Sequence, residues 1–136
     1  MPTRTPQQQS TRQAAIVSRA MLVCFKELRA AYPSRDGTVG QMFQDIFVAM
    51  AVRLSNERTK APSSVLGLSR LTHLPRSNVG RSIKRLLGRG IIRKQGAGYA
   101  GDGAFLVAGI DRRHLSRIVG AIVGAAHELQ SVQKNA

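Results

Sequence analysis

The alternation of apolar and polar positions predicts a helix at each end of the chain, with a helix–turn–helix and two short strands between them. Over residues 13–31, Val17, Met21, Cys24, Leu28 and Ala31 recur at spacings of four and three, a helical stripe that stops at Tyr32-Pro33. Ile16, Leu22, Val23 and Phe25 widen that surface beyond what one partner helix covers. Thr38 is the expected N-cap of a second helix reaching about Asn56, with Val39, Met42, Phe43, Ile46, Phe47, Met50 and Leu54 as its core face. Ser63 or Ser64 caps a third helix carrying Val65, Leu66, Leu68 and Leu71, and Thr72-His73-Leu74 makes the turn.

The fourth helix is predicted over residues 75–89. Pro75 opens it, where a missing N–H costs nothing, and Gly88 or Gly90 ends it. Val79, Ile83, Leu86 and Leu87 form its buried back. Residues 91–108 follow as a strand pair: Ile91-Ile92 lead into Arg93 and Lys94, Asp102-Gly103 is the turn signal, and 104–108 return. Asp111 caps a last helix to about residue 134, in which Leu115, Ile118, Ile122, Ala125, Leu129 and Val132 make a heptad-like seam. Gly120 and Gly124 interrupt it at about 1 kcal/mol each relative to alanine, which predicts close approach of another backbone. Residues 1–12 hold two prolines and three consecutive glutamines and are read as a disordered tail.

The fold expected from this order is mostly α with a small β wing, a winged helix-turn-helix. Residues 13–136 form one domain, with a DNA-binding lobe at 38–109 and dimerisation helices at 13–31 and 111–134. The interface residues expected for a homodimer are Val17, Met21, Leu28, Leu115, Ile118, Ile122, Gly124 and Leu129.

Charge sharpens the picture. The net charge is +14, from 21 Lys plus Arg against 7 Asp plus Glu, and 16 of the cations are arginine. Such an imbalance calls for a polyanion, and the planar guanidinium suits phosphate and guanine better than a diffuse lipid surface. Between Glu57 and Asp102 there is no acidic residue at all. Arg76, Ser77, Asn78, Arg81, Ser82, Lys84 and Arg85 on the fourth helix are the expected base and phosphate donors, joined by Arg70 on the third helix and Arg93 and Lys94 on the first wing strand. Duplex DNA is therefore the expected partner.

Other chemistries find little footing. The glycines at 96–103 are not followed by Gly-Lys-Ser/Thr, so they do not make a phosphate-binding P-loop. His73, His114 and His127 lack the spacing and acidic partners of a metal site or triad, so neither an enzyme, a metal nor a cofactor is expected. No run of about 18 apolar residues is present, which argues against a membrane partner. The single cysteine fits a reducing, cytoplasmic setting.

The run LPRSNVGRSIKRLLGRGIIRK, residues 74–94, resembles the turn, recognition helix and first wing strand of bacterial winged-helix regulators. Pro75-Arg76-Ser77-Asn78-Val79 is similar to the start of the recognition helix in the IclR family, and the order of elements resembles the MarR family. The MarR resemblance implies a homodimer through terminal helices, winged lobes on palindromic DNA, and a small-molecule effector. Two other readings stay open: an architectural protein binding duplexes without sequence preference, and a winged helix serving a protein or RNA assembly.

Overall fold

The computed structural model describes residues 4–31, 37–101 and 112–134, which form five helices and a two-stranded antiparallel sheet. The order is α1 (Pro6–Ala31), α2 (Val39–Thr59), α3 (Val65–Thr72), α4 (Arg76–Gly88), β1 (Ile92–Gln95), β2 (Gly98–Gly101) and α5 (Arg112–Lys134). The chain divides into two compact units, one holding α1 and α5 and the other spanning Tyr32–Ile110.

In the central unit the caps are local side-chain devices. Thr38 accepts from the Gln41 N–H at 3.1 Å and starts α2; Ser64 accepts from the Gly67 N–H at 3.0 Å and starts α3. Pro75 is the N-cap of α4 rather than its first helical residue, because its ψ of 147° is still extended. The core gathers Val48 and Val52 of α2, Leu68 of α3, Val79, Ile83 and Leu86 of α4, and Ile91 and Ile92 beside them.

Two corrections concern this unit. The buried face of α2 runs through Met42, Asp45, Ile46, Val48, Ala49 and Val52, so the expected core positions Val39, Phe47, Met50 and Leu54 are exposed. Phe47 instead stacks on Phe43 and, with Met50, Leu54 and Leu71, lines an open groove of about 620 Å³ between α2 and α3. The hairpin after β1 turns at Gly96-Ala97, ahead of the expected Asp102-Gly103, which lies outside the described residues: Gln95 pairs with Gly98, and Gly96 alone in this loop takes positive φ (59°), the Gly-first form of a two-residue loop. Residues 104–108, the expected return strand, and the expected cap Asp111 lie outside the described residues.

The terminal unit is an antiparallel helix pair, since Gln9 reaches the Val132 carbonyl at one end and Glu27 meets His114 and Arg117 at the other. Its seam is Gln9, Gln13, Ile16, Ala20, Val23 and Glu27 on α1 against His114, Ile118, Ala121, Ala125, Glu128 and Val132 on α5, each at spacings of four and three and all at least partly buried. Helix α1 starts at Pro6, well inside the expected disordered tail. Thr5 and Gln8 form a reciprocal capping box, the Gln8 N–H donating to Thr5 Oγ1 at 3.2 Å and the Thr5 N–H to Gln8 Oε1 at 3.0 Å. Arg12 and Arg19 share Glu128 across the pair.

Glu27 is buried in this seam, hydrogen-bonded by His114 Nδ1 and flanked by Arg117 at 3.4 Å. The hydrogen bond from His114, helped by the Arg117 charge, holds its carboxyl below the ordinary value of 4.5 against the opposing pull of burial. A lowered carboxylate stabilises the folded pair above that value, and the contribution is lost as pH falls through the folded pKa below 4.5. Thermal unfolding followed between pH 7 and pH 3 should show the parent protein losing more stability than Glu27→Gln over that interval. Parallel losses would refute a role for this carboxylate.

Candidate nucleic-acid interface

Helix α4 divides into three faces. Val79, Ser82, Ile83 and Leu86 are buried against the core. A flank of Asn78, Arg85 and Arg89 is partly buried. The outward face carries Arg76, Ser77, Arg81 and Lys84, all exposed, with Ser77, Arg81 and Lys84 at spacings of four and three.

The flank is set by Asp45. Its carboxylate is 1% exposed and lies on the buried face of α2, where a lone charge is costly unless paired. Arg85 grips it in a fork, Nε donating to Oδ1 at 3.1 Å and Oδ2 at 3.0 Å, and Nη2 to Oδ1 at 2.9 Å. Arg89 Nη1 adds a bond to Oδ2 at 3.2 Å. Arg85 Nη2 also donates to the Ser82 hydroxyl at 3.3 Å. Two of the expected DNA contacts are thereby corrected: Ser82 is 0% exposed and cannot meet a ligand, and Arg85 is committed to Asp45. Their work is to fix how α4 sits on α2, and so which side chains point outward. Sequence periodicity missed this, although an acid amid the apolar positions of α2 was the available sign.

The remaining donors are differently held. Asn78 donates to Gln44 Oε1 at 3.5 Å and accepts from Arg81 Nη2 at 3.0 Å, which steers the Arg81 guanidinium along the helix surface. Arg76 and Lys84 are exposed and have no acidic partner among the described residues. Arg70 is exposed on α3 and, with Arg58, borders a shallow depression walled by α2 and α3.

The strand pair is pinned to α2. Ser63 bridges Tyr99 through bonds of 2.8 and 2.9 Å, which adds a one-residue third strand beside β2. Asn56 accepts from the Gly101 N–H at 3.0 Å and donates to the Ala61 carbonyl and Ser63 Oγ, both at 3.2 Å. Gly98 is required here, since a Cβ would stand 2.8 Å from both Pro62 Cβ and the Ser63 carbonyl. On this anchored hairpin Ile92 faces inward, while Arg93, Lys94 and Gln95 are exposed. Neither cation has an acidic partner among the described residues.

On the helix pair, the expected interface residues separate into two sets. Leu28, Ile118 and Leu129 are partly buried, and Ile118 is on the seam with α1. Val17, Met21, Leu115 and Ile122 are exposed at 42%, 48%, 49% and 56%. Gly124 is exposed, and neither Gly120 nor Gly124 would bring a Cβ within 4 Å of any atom of α1, so α1 is not the backbone these glycines admit.

His73 and His127 are exposed and His114 is taken by Glu27; no group of three or more metal-ligating side chains occurs among the described residues. Among those residues no helix is long and apolar enough to cross a membrane. Comparison with protein-family models, curated proteins and solved structures finds no match for this chain.

Breaking a buried ion pair from one side strands the other partner. Asp45→Asn should lower the stability of the central unit by roughly 3 kcal/mol, read as a shift in the denaturant midpoint. An unmoved midpoint would show that the Asp45 cluster does not hold α4 in place.

Proposed function

We propose that this protein is a homodimeric, sequence-specific duplex-DNA-binding regulator of the winged helix-turn-helix class. The observation that carries the reading is the outer face of α4, where Arg76, Arg81 and Lys84 have no carboxylate partner among the described residues, with the Arg93 and Lys94 pair exposed on β1. The order α2, Ser63 bridge, α3, α4, β1, β2 is that of a winged helix, with α4 as the recognition helix and the hairpin as the wing. In this arrangement α4 enters the major groove. Arg81, oriented by Asn78, reads base edges, and Arg93 and Lys94 neutralise phosphates.

Arg81→Ala should cost roughly 1–3 kcal/mol on the preferred site and relax the preference, whereas Arg93→Ala should weaken all duplexes alike and flatten the salt dependence. Selecting sites from a random duplex pool and titrating both variants checks this. Identical losses on matched and scrambled duplexes would remove α4 as the reader, and equal parent affinity for every duplex would make the protein architectural instead.

Two half-sites about one helical turn apart need two lobes. A second copy seated on the exposed Val17, Met21, Leu115 and Ile122 would supply the other lobe and cover an apolar face otherwise left in water. Light scattering at micromolar concentration should return twice the 14.7 kDa of one chain. A monomer mass overturns the dimer.

A further inference from the structure

We infer that Gly80 is the point where the duplex comes closest to the backbone of α4, and that its missing side chain is a requirement of DNA recognition rather than of the fold. The inference rests on the DNA-binding reading above. Gly80 is an interior residue of a 13-residue helix, where glycine is less favourable than alanine because it loses more backbone freedom on folding. Neither of the usual internal reasons for glycine applies. The residue is not among those with positive φ, and no atom of a neighbouring element lies within 4 Å of where a Cβ would stand. Gly98 shows the contrast, since there the Pro62–Ser63 backbone forbids a Cβ outright.

Position makes the absence meaningful. Gly80, itself partly buried, lies one turn after Arg76 and one turn before Lys84, between these two exposed cations of the outward face. A side chain on a helix leans toward the N-terminus, so a Cβ at position 80 would project over the ground between Arg76 and Ser77. Its absence leaves a notch among the donors, and a base edge or sugar–phosphate can sit against the helix backbone there while Arg76 and Lys84 reach past on either side. The notch also sharpens selectivity, because close backbone approach rewards only a duplex whose groove shape follows α4.

The test uses the full chain and a fluorescent duplex selected from the random pool. Gly80→Ala is expected to raise the thermal midpoint by a few degrees, as helix propensity predicts, while weakening duplex binding at least tenfold. Gly80→Leu should weaken binding further. Because the block is steric, the slope of log affinity against log salt should stay at the parent value, whereas Lys84→Ala should reduce it. If the parent binds the selected duplex and Gly80→Ala binds it equally well, the notch is refuted and the DNA reading stands. If the parent binds no duplex, the DNA reading itself fails and takes the notch with it.

Discussion

The Asp45 carboxylate is the contact on which the central unit turns. It sits 1% exposed at the face between α2 and α4, surrounded by donors from Arg85 and Arg89. Apolar packing through Val79, Ile83 and Leu86 would hold α4 against the core at several rotations about its axis, because greasy surfaces tolerate small slips. A forked guanidinium on a fixed carboxylate does not. Rotating α4 would break the pair in a region of low solvent access, so the ionic contact selects one orientation and thereby selects the residues left outside. The choice of which arginines meet a ligand is made on the back of the helix, not on its front.

The same economy of acids operates across the molecule. Four carboxylates fall on described residues: Glu27, Asp45, Glu57 and Glu128. Three are each shared by two basic side chains, Glu27 by His114 and Arg117, Asp45 by Arg85 and Arg89, and Glu128 by Arg12 and Arg19. Glu57 lines the α2–α3 groove. Among the described residues, three of these four carboxylates are thus spent on helix junctions, and the outer face of α4 and the exposed edge of β1 receive none of the four. An external polyanion is the natural complement to such a distribution.

Local rules were legible in the sequence and competitive ones were not. The caps at Thr38 and Ser64 depend on one hydroxyl and a nearby N–H, and the back of α4 depends on one unbroken stripe, so both can be read from a few residues. The terminal helices defeat this approach because each has two stripes at the same spacing. On α1, Ile16-Ala20-Val23 and Val17-Met21-Cys24 satisfy the helical period equally, and only the fit of small residues against Ala121 and Ala125 decides between them. Asp45 and the Gly96 turn were hidden for a related reason. A buried acid is intelligible only with its distant arginines, and four closely spaced glycines offer several hairpins until Asn56 and Ser63 pin one of them. The candidate site was therefore visible as a helix and a strand, while the removal of Ser82 and Arg85 from it needed the tertiary partner.

The pairing of α1 with α5 joins segments far apart in the chain: Arg19 and Glu128 are separated by 109 positions. Closing a flexible loop of that length costs about 4 kcal/mol in chain entropy alone. The exposed ion pairs at Glu128 return less than about 1 kcal/mol each, too little to meet that cost. Most of the closing strength must then come from the Ile16–Val132 seam, and from replacing a disordered loop with the folded central unit. The helix pair is in this sense a clasp between the two ends of the described chain, and its grip lies in buried side chains rather than in surface charge.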